Sequence, residues 1–402
     1  MSDRYLAEPD LGFINEVIGL GGNTLKKCFQ CATCSVVCPI SPDIKPFPRK
    51  EMIAASWGLK DQLTKDVDIW LCHQCGDCSV KCPRGAQPGD VLGAIRSYAI
   101  AEYATPKALA KAVNDSKKLP LLLAVPAIIF AVLAMVTMKM GGVMDAIFKG
   151  LGLEALGFGW YHHHAEDVIA HADFYSTWFV DLVFVPLATL VVLIFARGVY
   201  RFLNDIHEQA LLDGRSKLGR QNFADLAIGT AKGIVTVLLP ILKHSKFTEC
   251  SENRDRSTAH MMVLYGFIGL FIMTSYGFIA LYLLHSPGPY SQINPFKILA
   301  NAAGIALVFG GILMIKNRLG KKDQVSSYKD WFLIGLVLGL GISGMLTELT
   351  RLAGAEMLTY FVYYIHLIFI FGTFAYLPFS KLAHMVYRTV ALGYAEYSGR
   401  DR

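Results

Sequence analysis

Eight of the nine cysteines in this 402-residue chain fall into two copies of one spacing: Cys28, Cys31, Cys34 and Cys38-Pro39, then Cys72, Cys75, Cys78 and Cys82-Pro83. This repeated C-x2-C-x2-C-x3-C-P run is the pattern that holds a pair of [4Fe-4S] clusters. Each iron of a cubane needs a thiolate, and the first three cysteines of a motif are close enough for one short loop to wrap three corners. The fourth lies beyond that reach and ligates the other cluster. The expected sets are Cys28, Cys31, Cys34 and Cys82 for one cluster, and Cys72, Cys75, Cys78 and Cys38 for the other. Disulfides would need an oxidising compartment, and the chain opens with the polar run Met1-Ser2-Asp3-Arg4-Tyr5 rather than a secretory signal. Zinc uses two separated ligand pairs rather than a repeated quartet closed by Cys-Pro. One-electron transfer is the chemistry that remains. His73, inside the second motif, reads as a loop residue, and Cys250 stands apart as a free thiol.

The histidines extend the electron path. His366 lies inside an apolar stretch and His384 just past its end, 18 residues on. On one straight helix that is about 5 turns and 27 Å, with both imidazoles on one face. Such a pair suits the axial ligation of two stacked haems, one toward each membrane surface, with Pro378 between them as an expected kink. A second axial ligand must come from a facing helix, and His260 opens another apolar stretch at the depth of His384. His260 with His384 is the expected first haem b, with Arg254 and Arg256 as guanidinium partners for its propionates. His366 is a polar imidazole deep in an apolar helix and needs a partner or an iron.

The elements that position these groups are dictated by composition. Hydrophobic residues make up 53%, charged residues 17%, and mean hydropathy is +0.41, too apolar for a soluble ferredoxin of this length. Six stretches are long enough to span a membrane: 119–138, 174–196, 260–284, 295–315, 331–351 and 356–379. The segment 224–239 is apolar but short and ends at Pro240, so it reads as an interfacial or buried cytoplasmic helix. Lys and Arg concentrate before the first span, in 197–256, in 316–329 and after the last span, which places those segments and both termini in the cytoplasm. The net charge of +6 is then a topology signal; no basic cluster with interleaved aromatics points to nucleic acid. The expected architecture is mainly α. A small two-cluster ferredoxin-like helical domain (1–105) leads through a linker (106–118) to a six-helix transmembrane cytochrome b bundle (119–390) in the cytoplasmic membrane. Segment 85–104 should be a helix packed on the clusters, and 45–68 one or two short helices.

The run Ile365-His366-Leu367 through Leu377-Pro378-Phe379-Ser380-Lys381-Leu382-Ala383-His384 resembles the last helix of the nitrate reductase gamma-subunit family of dihaem cytochromes b. Ala259-His260 and Tyr265-Gly266-Phe267 resemble its second helix. With two ferredoxin-type motifs in front, the whole chain resembles the membrane subunits of the quinone-interacting membrane-bound oxidoreductases of sulfate reducers. That resemblance implies menaquinol as reductant, cytoplasmic flavin and iron-sulfur partners related to heterodisulfide reductase, and electron delivery to adenylylsulfate reductase. The cytochrome family also places a second histidine ten residues after the first, to hold the outer haem with the residue matching His366. Here that position is Leu270. Of His171, the run His162-His163-His164, and His285, we take His171 as the second ligand of the outer haem.

A quinone site belongs beside that outer haem. Glu348 and Arg351, three residues apart at the far end of the fifth span, are either a satisfied interfacial ion pair or part of that site, together with Tyr363 and His366. The glycines Gly335, Gly339, Gly341 and Gly344 read as helix-packing positions. Three functions follow from these residues: a quinol-oxidising electron-transfer subunit, a membrane module of a heterodisulfide-reductase-type or sulfite-linked complex, and a non-redox anchor or transporter with structural clusters. The second needs a cysteine-rich thiol-disulfide site in another subunit, since only Cys250 is left over. The third finds no inverted repeat to support it.

Overall fold

The computed structural model describes residues 8–153, 168–245, 249, 251–252, 256–286, 288–320 and 327–400. Among them every regular element is helical. The long helices are α1 (Pro88–Tyr103), α2 (Leu119–Gly150), α3 (Thr177–Leu212), α4 (Phe223–Lys243), α5 (Arg256–Tyr282), α6 (Pro295–Gly320), α7 (Tyr328–Leu352), α8 (Glu356–Ala375) and α9 (His384–Ser398). Short helices over Arg49–Ser56, Lys60–Thr64 and Asp68–Leu71 connect the two cysteine motifs, and α1 closes that unit as expected.

Seven helices among the described residues are long and apolar enough to cross a membrane: Ser116–Thr137, which runs through a short turn into α2, and α3 to α8. The chain is a multi-pass membrane protein. By length and composition one helix more than the expected six qualifies, because 224–239 belongs to a 21-residue helix, α4. Asn222 caps its start, accepting from Asp225 N at 2.9 Å, and Pro240 falls near its end instead of stopping it. The packing of α4 differs from that of the other six. It runs antiparallel along α9, with Gly229 under the Tyr397 ring and Gly233 against Gly393; a β-carbon on Gly233 would lie 2.1 Å from the Gly393 carbonyl oxygen.

The other spans pack in sequence, α5 on α6, α6 on α7, α7 on α8 and α8 on α2. Small residues permit the closest approach, as at Gly266 and Gly310, whose β-carbons would meet the Ala303 and Ala259 carbonyls at 3.0 and 3.1 Å. In α7, Gly339 faces the Phe369 ring, Gly341 faces Val308 and Gly344 faces the His366 imidazole, whereas Gly335 faces open space.

One expected element is corrected. His366 and His384 do not share a helix: α8 ends at Ala375, two 3-10 turns follow over Leu377–Phe379 and Lys381–Ala383, and His384 opens α9. Pro378 has no N–H to continue the ladder. Ser380 is extended, and its hydroxyl caps the next turn by accepting from Leu382 N. The five-turn straight-helix geometry therefore does not apply.

The cysteine unit and the helices beyond it share one apolar core. Trp70 is fully buried with its ring 5.4 Å from Phe202 of α3 and 5.7 Å from Tyr387 of α9. Beside this core lies a buried ionic joint. Arg215, after α3, pairs with Asp66 at 2.6 Å and Asp68 at 3.0 Å, and Arg400, after α9, pairs with Asp68 at 2.6 Å. Lys50 completes it with contacts to Glu51 at 2.8 Å and Asp68 at 2.6 Å.

Candidate functional site: two cysteine loops against a histidine pair

The two cysteine motifs fold alike. Gln30 and Gln74 take positive φ (60° and 53°), as do Ala32 and Gly76 (71° and 95°). In each loop this conformation turns an amide back on the first thiol: Gln30 N donates to Cys28 Sγ at 3.4 Å and Gln74 N to Cys72 Sγ at 3.3 Å. Such N–H···S bonds are one of the levers that set a cluster's potential. A one-turn helix then carries the third cysteine, over Thr33–Val36 in one copy and Asp77–Val80 in the other.

All eight thiols are free of disulfides. Burial pushes the Cys38 thiol up to about 12, and the neighbours that add to the rise are Cys72 and Cys75 of the other motif. Burial likewise pushes Cys34 up to about 11, with Cys28 and Cys31 of its own motif beside it. Burial also raises Cys78, next to Cys72, Cys75 and Cys38. Cys38 thus stands with the second motif. A metal ion held among these thiols would deprotonate those that coordinate it. The two loops differ in exposure: Cys72, Cys75 and Cys78 are buried, whereas Cys31 is exposed.

The buried second loop faces the histidines. Arg388, one turn beyond His384, donates to His73 Nδ1 at 2.8 Å. Arg256, one turn before His260, donates to the Gln74 carbonyl at 3.3 Å. Asp77 accepts from Ser251 N at 3.1 Å and Glu252 N at 2.9 Å, tying the segment before α5 to the same loop. His73, expected as a loop residue, lies in the loop and also makes this junction. Arg254, Cys250 and His162 to His164 lie outside the described residues.

His260 and His384 come together with ring centres 6.4 Å apart. Two metal–imidazole bonds of about 2.0 Å, with about 1.1 Å from nitrogen to ring centre on each side, require roughly 6.2 Å. The donor set also fits. His384 Nδ1–H donates to the Lys381 carbonyl, which leaves Nε2 with the lone pair. His260 Nδ1 hydrogen-bonds to His244 Nε2 at 2.8 Å, and His244 Nδ1 lies 3.4 Å from the Leu242 carbonyl. With His244 donating to that carbonyl, its Nε2 accepts from His260 Nδ1–H, and Nε2 of His260 is also left for iron. His244 was not found by sequence reasoning. It sits after α4 with positive φ, 16 residues before His260 and on no shared helix. Arg388 was also missed, although its i+4 spacing from His384 is a legible signal.

At the other histidine, Ser343 Oγ donates to the Gly339 carbonyl at 2.5 Å and lies 2.9 Å from His366 Nδ1, which donates to it. His171 is within electrostatic reach of His366. Its Nε2 is buried and has no hydrogen-bond partner, and its ring lies 4.5 Å from that of Tyr363. An orphaned imidazole nitrogen here could serve as a ligand to a haem iron. His285 is exposed, with positive φ beyond the end of α5. Leu270 packs with the apolar cluster around Leu307, Val337 and Leu340. Glu348 and Arg351 pair at 2.9 Å, and the pair extends to Lys297 at 2.8 Å and to Gln292, which also accepts from Asn301 at 3.0 Å. Glu348 is thus enclosed by partners, as the satisfied-pair reading requires.

Fold and site define an iron-sulfur electron-transfer protein anchored by a helical membrane bundle. Residues 24–86 match the family described as 4Fe-4S dicluster domain. The chain is similar to a subunit of the H(2):CoB-CoM heterodisulfide,ferredoxin reductase of Methanothermobacter marburgensis. That match is 36% identical over 91 residues, 22% of this chain and 49% of that protein. It is also similar to a protein of Archaeoglobus profundus that is itself like a heterodisulfide reductase subunit, 36% identical over 86 residues, 21% of this chain and 46% of that one. The chain spans about half the length of the curated relatives it matches. No solved structure matches it significantly.

Proposed function

We propose that this chain is the membrane subunit of a quinone oxidoreductase, oxidising menaquinol at one end of the bundle. Its electrons pass through haem b and two [4Fe-4S] clusters to cytoplasmic flavin and iron-sulfur partners serving adenylylsulfate reductase. The observation that carries the reading is the junction of the two halves: the loop holding Cys72 and Cys75 touches, through His73 and Gln74, the arginines one turn from His384 and His260. Haem b, when bound, takes up and releases one electron at a time, as each cluster does. His260 and His384 would hold the haem nearer the clusters, with Arg256 and Arg388 placed for its propionates. His366 and His171 would hold the outer one. At that end Tyr363 is the side chain against His171, and Glu348 with Arg351 shapes the wall rather than taking protons. In this reading the cysteine unit and both chain ends lie in the cytoplasm, six helices span the inner membrane, and α4 lies outside it beside α9.

Quantification of haem b and acid-labile iron in the purified full chain tests the proposal. It requires one or two haems and about eight irons per chain; cofactor-replete protein with clusters and no haem b refutes it. A second reading, a membrane module feeding a heterodisulfide-reductase-type complex, is favoured by the relatives' names, which are those of heterodisulfide reductase subunits. Reduction of a disulfide substrate by the isolated complex, without adenylylsulfate reductase, would select it.

A further inference from the structure

The first cysteine loop ends in a surface that the described residues leave open. Phe29 and Val36, which flank the loop, are 67% and 82% exposed, whereas the matching second-loop positions are a half-buried His73 and Val80 at 57%. Cations frame them. Lys26 and Lys27 stand immediately before Cys28 and are exposed. The Arg84 guanidinium lies over the Phe29 ring at 4.0 Å. Arg49, also exposed, donates through Nε to the Gln30 carbonyl at 2.9 Å. From Thr24 to Arg49 the only acidic residue is Asp43. A groove of about 800 Å³ runs on from this face between Val36, Cys38 and Arg49 on one side and Leu212 of α3 on the other.

The position argues against lipid. On the proposed topology α3 leaves the membrane near Arg197. Leu212 lies 15 residues further along the same helix, about 22 Å at 1.5 Å per residue. The face is therefore held well clear of headgroups. An exposed apolar centre ringed by like charges, beside the most exposed cluster ligand, has the make-up of a transient redox interface steered by electrostatics.

We infer that the face of Phe29 and Val36 framed by Lys26, Lys27, Arg49 and Arg84 docks the acidic surface of a soluble one-electron carrier protein. Electrons then enter or leave by the cluster of Cys28, Cys31, Cys34 and Cys82. The inference deepens the electron-transfer reading and rests on it.

The probe is reduced flavodoxin, a strongly acidic flavoprotein, mixed in stopped flow with the full chain in phosphatidylcholine nanodiscs. One electron leaves the flavin and takes one cluster from the 2+ to the 1+ state. The second-order rate should fall steeply with added salt. In the double variant Lys26→Glu, Lys27→Glu it should drop at least tenfold at low salt and lose most of its salt dependence. Phe29→Ala should lower it severalfold without changing the salt slope. Lys111→Glu, a charge reversal remote from the face, should stay within twofold of wild type. Equal rates in wild type and double variant, or an equal loss in Lys111→Glu, overturn the inference. So does an effect that appears only in nanodiscs containing phosphatidylglycerol, which would assign the face to lipid, or a dimer that the double variant dissolves, which would assign it to a second copy. Iron content and cluster EPR signals separate the two failures: their absence refutes the two-cluster reading, and unchanged rates with intact signals refute only the face.

Discussion

Arg388 and His73 are 315 residues apart in the chain and 2.8 Å apart in space. One lies a turn beyond a histidine with the geometry of a haem ligand, the other between two cluster cysteines. This bond ties α9, the helix that His384 opens, to the second cysteine loop. Arg388→Ala should loosen that junction, since a hydrogen bond from a charged donor contributes about 1.5–3 kcal/mol. Rapid-mixing spectroscopy should show haem-to-cluster transfer slowed severalfold at unchanged iron and haem content. An unchanged rate would remove the junction from the path.

His244 orders His260 through the 2.8 Å bond between their rings. Loss of such an outer partner typically costs 10- to 100-fold in affinity. His244→Ala should yield partially loaded protein whose haem has a shifted midpoint potential, while His260→Ala should lose that haem entirely. Full loading and an unshifted potential in His244→Ala would sink the assignment.

Cys38 stands with Cys72, Cys75 and Cys78. Cys38→Ser should therefore damage the cluster of the second motif and spare that of the first, with Cys82→Ser doing the reverse. EPR of the two variants at graded potentials distinguishes this exchange from ligation within each motif.

The ionic joint of Lys50, Glu51, Asp66, Asp68, Arg215 and Arg400 sets a pH window. Besides Glu51 the three cations face three carboxylates, Asp66, Asp68 and, through Arg215, Asp213. Charge therefore balances with Glu51 neutral. Burial raises the Glu51 carboxyl to about 8 against the pull of Lys50. A raised carboxyl supports the fold fully below its unfolded value; that support falls by about 1.4 kcal/mol per pH unit between the unfolded and folded values and is gone once pH has risen through the folded one. Burial also opposes the Asp68 charge, but Lys50, Arg400 and Arg215 outweigh it and hold that carboxyl well below the ordinary range. Its contribution is present above the unfolded value and lost in acid. The wild-type melting midpoint should fall from pH 7 to pH 9, and that fall should vanish in Glu51→Gln. Asp68→Asn, which removes the carboxylate paired with buried Arg400, should lower the midpoint at every pH, as breaking a buried pair costs roughly 3–5 kcal/mol.

Glu348 is held by Lys297, Arg351 and Gln292. Glu348→Gln should destabilise the bundle in a thermal melt and leave the quinol KM within twofold. A KM raised tenfold with an unchanged melt would return Glu348 to the quinone site.

Some of this was settled by sequence alone, where the physics is local. Cysteines two and three residues apart have their reach set by the backbone, and about 20 apolar residues in a row are long enough for a bilayer wherever they pack. The two cluster motifs and the long apolar helices were legible on those grounds. Tertiary contacts decided the rest. Pro378 could be read as a kink, but only the Ser380 cap and the two 3-10 turns show the chain breaking, so that His384 opens a separate helix. No spacing rule relates His244 to His260, Asp68 to Arg400 or Arg388 to His73, because each bond closes a loop whose ends meet only when distant helices pack. Hydropathy counts α4 with the spans, and its contact with α9 sets it apart. Which cysteine loop meets the histidines and which meets solvent is likewise a long-range outcome, since the two motifs are nearly the same locally and differ only in what folds against them.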